Sequence, residues 1–407
     1  MPYLQFILRN RRFLAFGVLM TMASSFGQTY FVALFGADIR AEFGLGHGDF
    51  GLVYSVATVV SAGCLIWVGR LIDAMTLRRY AVLVCLGLTG ATFALAFADT
   101  LALLFLALFA LRLTGQGLMT HTAITGMVRG FSAARGKAVS IANLGMPLAE
   151  GTFPIIAVAA MASLGWRHAW VLFGFSLALA LVPTIHWLLR ADRPAESPVD
   201  HVSPVHQHSD RRWTRRDVLR DPRFYLLLPA ALASSFIITG LFFHQVHLAE
   251  SKGWSLAVLA AAFVGFSIAQ SLTGLVTGPA IDRIGATRLM PYALLPLGCG
   301  LLFLTLSDHP AIAFAYMVAA GIGAGISSTT VAAMWAEVYG VAHLGAIRAL
   351  TTSLGVLASA LSPFLFGRMI DLGLSIDRLA LMNLSYVILA SMLVPLAFRR
   401  PVAARPV

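Results

Sequence analysis

The sequence is poor in charge: 12% of its 407 residues are Asp, Glu, Lys or Arg, and 58% are hydrophobic. Soluble domains are about 25% charged. So few ionic groups cannot cover a water-exposed surface of this size, which excludes a soluble globular protein and favours lipid as the solvent. The three cysteines show no disulfide or zinc spacing, and no nucleotide-binding loop or catalytic His or Asp cluster occurs. The sequence therefore predicts no metal, no cofactor and no enzyme.

Long apolar segments are what the sequence does contain. They run for roughly 18 to 26 residues, enough to cross the ~30 Å hydrocarbon core as helices. The twelve predicted segments are Phe13–Gly36, Gly51–Leu71, Tyr80–Phe97, Leu101–Met127, Val139–Ala162, Ala169–Leu189, Phe224–Val246, Leu256–Pro279, Leu289–Leu306, Ala311–Met334, Ala349–Ile370 and Leu379–Ala397. We therefore predict an all-α integral membrane protein with twelve transmembrane helices.

The second half of the chain repeats the first. Gly69 and Asp73 recur as Gly278 and Asp282, 209 positions later, and one further glycine and one proline, Gly136 and Pro154, recur at the same offset. Parallel repeats in a hydrophobic protein are typical of transporters. We predict two pseudo-symmetric six-helix bundles, at residues 1–189 and 224–407. A polar cytoplasmic linker, residues 190–223, is predicted to join them.

The 29 basic residues predict the orientation. With both termini inside, 23 of them lie on the inner side, five lie on the outer side, and only Arg112 lies deep within a segment. The positive-inside rule selects this arrangement. We therefore expect a monomer in a bacterial-type inner membrane with cytoplasmic termini. The net charge of +11 follows from topology, so the predicted macromolecular partner is the lipid bilayer rather than nucleic acid.

One motif occurs in corresponding inner loops of both halves. It reads GRLIDAMTLRR from Gly69 and GPAIDRIG from Gly278. Both resemble the loop signature G-x-x-x-D-R-x-G-R-[RK] of the major facilitator superfamily, although Ala74 and Thr76 depart from it. The twelve segments and two halves extend this resemblance over the whole chain, and glycine in such a loop allows close helix packing. The resemblance implies a gating latch formed by Asp73, Arg78 and Arg79, and in the second half by Asp282 and Arg283.

Two charges fall near the middle of the predicted membrane. Arg112 lies 11 residues into the fourth segment and Glu150 lies 11 residues into the fifth. At 1.5 Å per residue each is about 16 Å deep, where a lone charge costs at least ~2.5 kcal/mol. We predict that the two line a central cavity and interact in at least one state, with Glu150 as the protonation site. A permanent ion pair that only positions two helices is the alternative.

Three glutamines are candidate substrate ligands: Gln116 on the same face as Arg112, Gln28 in the first segment and Gln270 in the eighth. Hydrogen bonding between helices is the alternative role for each. The repeat counterparts of Arg112 and Glu150 are uncharged. This difference places the predicted working charges in the N-terminal half.

Several stretches are similar to the monocarboxylate and oxalate/formate branch of the superfamily. They are LRDPRFYLLLPA, FFHQVHLAESKGWS and HLGAIRALTTSLGVLASALSPFLFG. The resemblance implies a proton-coupled secondary transporter, by alternating access, of a small organic solute such as a monocarboxylate or other organic anion. Animal members carry an Asp and an Arg in helix 8, where this chain has Gln270 and Gly274, which leaves Arg112 as the only deep cation. The alternatives are proton-coupled efflux of lipophilic compounds and a non-transporting sensor on the same fold.

Overall fold

The computed structural model describes residues 3–131, 134–190, 213–340 and 344–399, and no strand occurs among them. Within these residues eleven helices are long and apolar enough to span a membrane, and one bent pair brings the number to twelve. The spans are α1 (Leu4–Gly27 with Thr29–Phe43), α2 (His47–Ala74), α3 (Leu77–Ala96), α4 (Leu101–Gly130), α5 (Arg135–Leu164), α6 (Trp166–Leu188), α7 (Pro222–Phe243), α8 (Leu256–Ile284), α9 (Ala286–Leu306), α10 (Ala311–Tyr339), α11 (Ile347–Asp371) and α12 (Ile376–Phe398). The predicted all-α membrane architecture is confirmed.

Most spans are longer than the apolar segments that predicted them, because hydropathy does not decide where a helix begins. Hydroxyl side chains cap several of the first turns. Thr76 accepts a hydrogen bond from the amide of Arg79, and Thr100 accepts one from Leu103. A capping side chain satisfies amides that have no partner within the helix. Thus α3 begins directly after Thr76, three residues before the apolar segment predicted at Tyr80.

The described residues form two compact units. Unit 1 contains those of Met1–Pro204 together with Phe242–His247, and unit 2 contains those of Val205–Leu241 and Leu248–Val407. Of the predicted linker, residues 191–212 lie outside the described residues. Its final part contains a short helix, Arg215–Arg220. Thr214 and Asp217 form a reciprocal capping box at the start of this helix.

Unit 1 is packed around aromatic side chains. The rings of Phe31, Phe35, Trp170 and Phe173 lie with neighbouring centroids 5.1–6.4 Å apart, and all four side chains are buried. Such contacts between α1 and α6 add to the packing that holds helices together in lipid, where hydrophobic burial provides little. In unit 2, Trp335 on α10 packs against Phe224 at the start of α7.

The first span is not the uninterrupted helix that the sequence predicted. Its backbone becomes extended at Gln28 (φ −82°, ψ 150°), and the two parts are bent by 47°. A break at this depth frees backbone groups from the helix, and they must find partners inside the protein. The break lies where α1 crosses α4, and this crossing is the starting point for the candidate site.

Candidate functional site

Two glycines determine how α1 and α4 cross. A Cβ placed on Gly27 would lie 2.6 Å from the amide nitrogen of Gln116 and 2.8 Å from Cα of Gly115. A Cβ on Gly115 would lie 2.7 Å from both Cα and N of Gly27. The two backbones are therefore in direct contact, which only glycine permits. Gly115 is the first of two glycines in the stretch RLTGQG, residues 112–117 of α4, and it makes this contact.

At this crossing, α4 is wound as a π-helix from Arg112 to Met119. Widened turns of this kind are rare and concentrate at functional sites. The π-helical turns change the angular positions of the side chains that follow Arg112. No sequence pattern predicts this change, because a π segment has no hydrophobic period that distinguishes it in an apolar helix.

Arg112 is bound by groups of the protein around it. Its Nη1 donates to the carbonyl oxygen of Gly27 at 2.9 Å, and its Nε donates to the hydroxyl of Thr58 at 3.0 Å. The guanidinium carbon lies 5.0 Å from the ring centroid of Tyr54, whose hydroxyl donates to Thr29 at 2.9 Å. The side chain is 3% exposed. Arg112 thus binds a carbonyl that the break in α1 has freed, and this structure does not present it as an open cationic site.

Glu150 lies apart from Arg112. Among the described residues the two form no hydrogen bond or ion pair, so the predicted interaction is not present in this structure. Its Oε2 is buried and has no hydrogen-bond partner within the described part of the chain. Its charge acts on Tyr30, on the second part of α1. A buried carboxyl oxygen without a hydrogen-bond partner is a place where a proton can bind.

A glutamine that the sequence reasoning did not select lies close to this region. Gln245, in the part of the chain grouped with unit 1, is 1% exposed. Its Nε2 donates to the carbonyl oxygen of Tyr30 at 2.6 Å. Its Oε1 is buried and has no partner among the described residues. Phe243, two residues earlier, packs on Tyr54 with ring centroids 4.8 Å apart.

The three glutamines predicted as ligands do not come together in one described pocket. Gln28 is half-buried at the break in α1, and Gln116 lies within the π segment of α4, both in unit 1. Gln270 belongs to α8 of unit 2, where its carbonyl oxygen accepts from Thr273 at 3.3 Å. Their roles as ligands stay predictions.

Unit 2 contains a cavity of about 340 Å³ between α7, α10 and α11. Its polar lining consists of Ser235, Ser328, Arg348, Thr351, Thr352 and Ser359. Trp335 also lines it, and the indole N–H of this residue is buried with no partner in the described part of the chain. Arg348 forms no ion pair with any described carboxylate.

Sequence reasoning assigned Arg348 to a loop, because the apolar segment was predicted to begin at Ala349. In the structure the helix that contains the α11 span begins earlier, at Leu344, and places Arg348 in the cavity lining. The available signal was the spacing: Arg348, Thr351 and Thr352 lie three and four residues apart and share one helix face. Arg112 is therefore not the only cation to consider for an anionic ligand.

The inner loop of unit 1 is bound to the ends of neighbouring helices. Asp73 forms an ion pair with Arg129 at the end of α4, and Arg129 also donates to the carbonyl oxygen of Ile72 at 3.2 Å. The imidazole of His121 on α4 contacts the carbonyl oxygen of Gly69 at 3.1 Å. Asp73 thus has a basic partner in its own unit.

The corresponding loop of unit 2 is arranged differently. Nothing lies within 4 Å of a Cβ placed on Gly278, so the close approach expected there is absent from the described structure. Asp282 and Arg283 are exposed and form no described ion pair. Instead the carboxylate of Glu337, on α10, accepts from the amides of Ala286 at 2.7 Å and Thr287 at 3.2 Å. This acid, which the sequence reasoning missed, caps α9.

Comparison with known proteins decides the family. The family model described as Major Facilitator Superfamily matches residues 17–246 and 236–407, which together cover nearly the whole chain and correspond to its two halves. The chain belongs to the Major Facilitator Superfamily. Among curated proteins, none matches this sequence.

Two solved structures similar to this superfamily member are of a bacterial homolog to the human lysosomal transporter Spinster. The inward-facing, unoccupied form has a TM-score of 0.68 and 16% identity, over 98% of each chain. The inward-facing, occupied form has a TM-score of 0.68 and 17% identity, over 100% of this chain and 99% of the other. At this identity the likeness shows the fold alone.

Membership of the superfamily confirms that the protein is a multi-pass membrane transporter of a small molecule and not an enzyme. The family match does not distinguish branches of the superfamily, so the resemblance to the monocarboxylate and oxalate/formate branch stays a prediction. Among the described residues, no three His, Cys, Asp or Glu side chains form a group that could hold a metal ion.

Proposed function

We propose that the protein carries a small organic anion across the membrane by alternating access, driven by a proton gradient. The observation that carries the anion assignment is the cavity of unit 2, in which Arg348 lies with no acidic partner among the described residues. The volume of about 340 Å³ lies at the low end of the range for ligand pockets, about 300–1,000 Å³, and suits a small solute. As the basic loops predict, we place the termini on the cytoplasmic side of a bacterial inner membrane.

The chemistry of the lining supports an anion over a neutral or lipophilic compound. The guanidinium of Arg348 is suited to bidentate recognition of a carboxylate. Trp335 adds an aromatic side chain to the same lining. The cavity also contains hydroxyls, which rotate to donate or accept.

The proton-coupling part of the proposal rests on Glu150. An ionisable group inside a membrane span is costly and is by default a functional candidate. Its Oε2 lacks a partner among the described residues, and its charge acts on Tyr30. Proton binding at Glu150 would remove that charge and so change the electrostatics at the broken helix α1. A pH gradient would thereby bias the two facing states.

Counterflow in proteoliposomes tests the substrate class, with a panel of small organic acids and lipophilic dyes. We expect a preloaded acid to exchange with its labelled form and the dyes not to exchange. The Arg348→Gln variant should raise the half-saturating acid concentration at least tenfold. Arg378→Gln, which changes an exposed arginine on α12, is the matched control and should change nothing. Exchange of dyes alone would replace the proposal with drug efflux, and binding without exchange would indicate a sensor.

A second experiment isolates the proton. Glu150→Gln should abolish uphill uptake driven by a pH gradient and leave counterflow at equal pH, which needs no net proton movement. Glu250→Gln, which neutralises an exposed carboxylate outside the spans, should retain both activities. If the pH dependence of Glu150→Gln uptake equals that of the wild type, the proton role of Glu150 is wrong.

A further inference from the structure

Another cavity lies in unit 1, at the N-terminal end of α3, directly after the α2–α3 loop. Its volume is about 640 Å³. Three of its lining residues carry basic side chains, Arg78, Arg79 and His186. Others are apolar and open to the surroundings: Met75 is 39% exposed and Leu83 is 53% exposed. The cavity therefore has a basic part and an apolar part.

Within the described part of the chain, no acidic side chain pairs with the basic part. Arg78 donates from Nε to Nδ1 of His186 at 3.3 Å, and its Nη2 contacts the other ring nitrogen. The charges of Arg78 and Arg190 both act on this imidazole. Neither Arg78 nor Arg79 forms an ion pair with any carboxylate in the described part of the chain. The positive charges of Arg78 and Arg79 thus lie at one place without a described counter-ion, which favours binding of an anion.

The apolar part continues along the spans. Leu86 on α3 is 48% exposed, and Phe175 and Leu179 on α6 are 52% and 74% exposed. Side chains of this type on a membrane span face hydrocarbon. Beside the basic groups, the protein therefore presents a surface on which acyl chains can lie.

The repeat provides an internal comparison. Helix α9 begins at Ala286, 209 residues after α3 begins at Leu77. At α9 the carboxylate of Glu337 accepts from the first amides of the helix, so unit 2 supplies an anion of its own. At α3 the first turn has no acidic residue and contains both Arg78 and Arg79. The same place in the fold is thus neutralised by the protein in one unit and left cationic in the other.

We propose that the cavity of Arg78, Arg79 and His186 binds the phosphate headgroup of an anionic phospholipid, whose acyl chains lie along α3 and α6. Arginine binds phosphate oxygens with paired N–H groups, and basic pockets beside spans on the cytoplasmic side are suited to anionic headgroups. The distribution of basic residues predicts that this end of α3 is cytoplasmic. The adjoining apolar surface selects a lipid over a free phosphate ion.

Native mass spectrometry of the full-length protein tests the site, with added phosphatidylglycerol or phosphatidylcholine. We expect the wild type to retain phosphatidylglycerol at least tenfold better. Arg78→Gln with Arg79→Gln should abolish this preference. The matched control is Arg283→Gln with Arg288→Gln, in the equivalent loop of unit 2, and should keep it. Equal retention of the two lipids by the wild type, or equal losses in both double variants, would overturn the proposal.

Two further measurements make the result decisive. Inorganic phosphate should fail to displace phosphatidylglycerol at a hundredfold excess, and displacement would assign the site to a free anion and overturn the proposal. Should the double variant not fold, the single variant Arg79→Gln is informative, because the described hydrogen bonds to His186 come from Arg78. It should lower the phosphatidylglycerol preference severalfold, and an unchanged preference counts against the site. These readouts are binding measurements, so they are independent of transport.

Discussion

The ammonium nitrogen of Lys252 lies 2.7 Å from a carboxylate oxygen of Asp308, and the lysine side chain is only 4% exposed. The same nitrogen lies 2.7 Å from Asp377 in the first turn of α12. Lys252 follows α7, and Asp308 follows α9. One lysine therefore joins three connections of unit 2.

In unit 1 an ion pair and hydrogen bonds also link the corresponding connections, but the charged residues lie at different positions. Arg167, at the start of α6, pairs with Glu42 at the end of α1, with 2.5 Å between Nη2 and Oε1. It also donates to the carbonyl oxygens of Ala96 at 2.6 Å and Ala98 at 2.5 Å, where α3 ends. The cation lies between α5 and α6 in unit 1, but between α7 and α8 in unit 2. The same three connections are joined in both halves. The halves differ in the connection that carries the cation.

Replacing Lys252 with Met should destabilise unit 2. The change removes two charge-assisted contacts but leaves two carboxylates that are largely able to regain water, since Asp308 and Asp377 are 69% and 49% exposed. Hydrogen bonds to charged groups contribute about 1.5–3 kcal/mol, so we expect a loss of about that size. Thermal unfolding in detergent measures it. Arg378→Met, at an exposed position on α12, is the control, and an equal effect there would contradict the role of Lys252.

The contribution of Lys252 should depend on alkaline pH. Burial lowers the pKa of Lys252, but the hydrogen bonds and charges of Asp308 and Asp377 outweigh it, so the pKa is raised. A raised pKa means that the folded state binds the proton more tightly than the unfolded state. The stabilisation is therefore complete below the ordinary lysine pKa of about 10.4 and is lost as pH rises through the folded pKa.

Melting temperatures of the wild type and of Lys252→Met, measured from neutral to strongly alkaline pH, check this. The difference between them should stay constant up to about pH 10 and shrink above it. A difference that already vanishes near neutral pH would contradict the raised pKa. A difference that persists at the highest pH would show that Lys252 acts through packing and not through its charge.

Much of the fold could be predicted because hydropathy reports where a chain can cross lipid. Apolar length and the repeat gave twelve spans in two halves, and the family match agrees. The break at Gln28 could not be predicted in this way. It follows from a contact between Gly27 on α1 and Gly115 on α4, and a long-range contact leaves no mark in the local hydrophobic pattern.

That contact can be tested with Gly27→Ala. The added methyl group would lie 2.6 Å from the amide nitrogen of Gln116, and backbone on the facing helix cannot move aside as a side chain can. Overpacking of this kind costs about 1–3 kcal/mol, and we expect a lower melting temperature and a lower yield. Gly90→Ala on α3 is the control, because nothing lies within 4 Å of its added Cβ. Equal melting temperatures for the two variants would contradict a tight crossing.

The candidate site was less predictable than the fold. Depth along the helix selected Arg112 and Glu150 as candidates, but depth does not report the direction of a side chain. Arg112 instead binds the Gly27 carbonyl that the break exposes. Arg348 was overlooked because it precedes the apolar part of its helix. Both differences have one cause: the partners of a side chain come from other helices, and a single sequence records positions along one helix only.

The outer contact of unit 1 allows a charge exchange. Arg167→Glu alone would place a carboxylate beside Glu42 and beside two carbonyl oxygens, and it should strongly destabilise the protein. Adding Glu42→Arg restores an ion pair of opposite polarity. A partly exposed pair contributes only about 0.2–1 kcal/mol, whereas the carbonyls of Ala96 and Ala98 lose their donor, at about 1.5–3 kcal/mol each.

We therefore expect the exchanged variant, Arg167→Glu with Glu42→Arg, to melt well below the wild type and only slightly above Arg167→Glu. Glu42→Gln isolates the ion pair, since the amide oxygen can still accept from Trp166 Nε1, which lies 2.9 Å from the carboxylate in the wild type. Its effect should be small. If the exchanged variant recovers the wild-type melting temperature, the ion pair is the main contribution and the carbonyl bonds are not. In that case any pair of complementary charges could replace Arg167 and its partner. An arginine that is bound mainly to backbone carbonyls could not be replaced in this way.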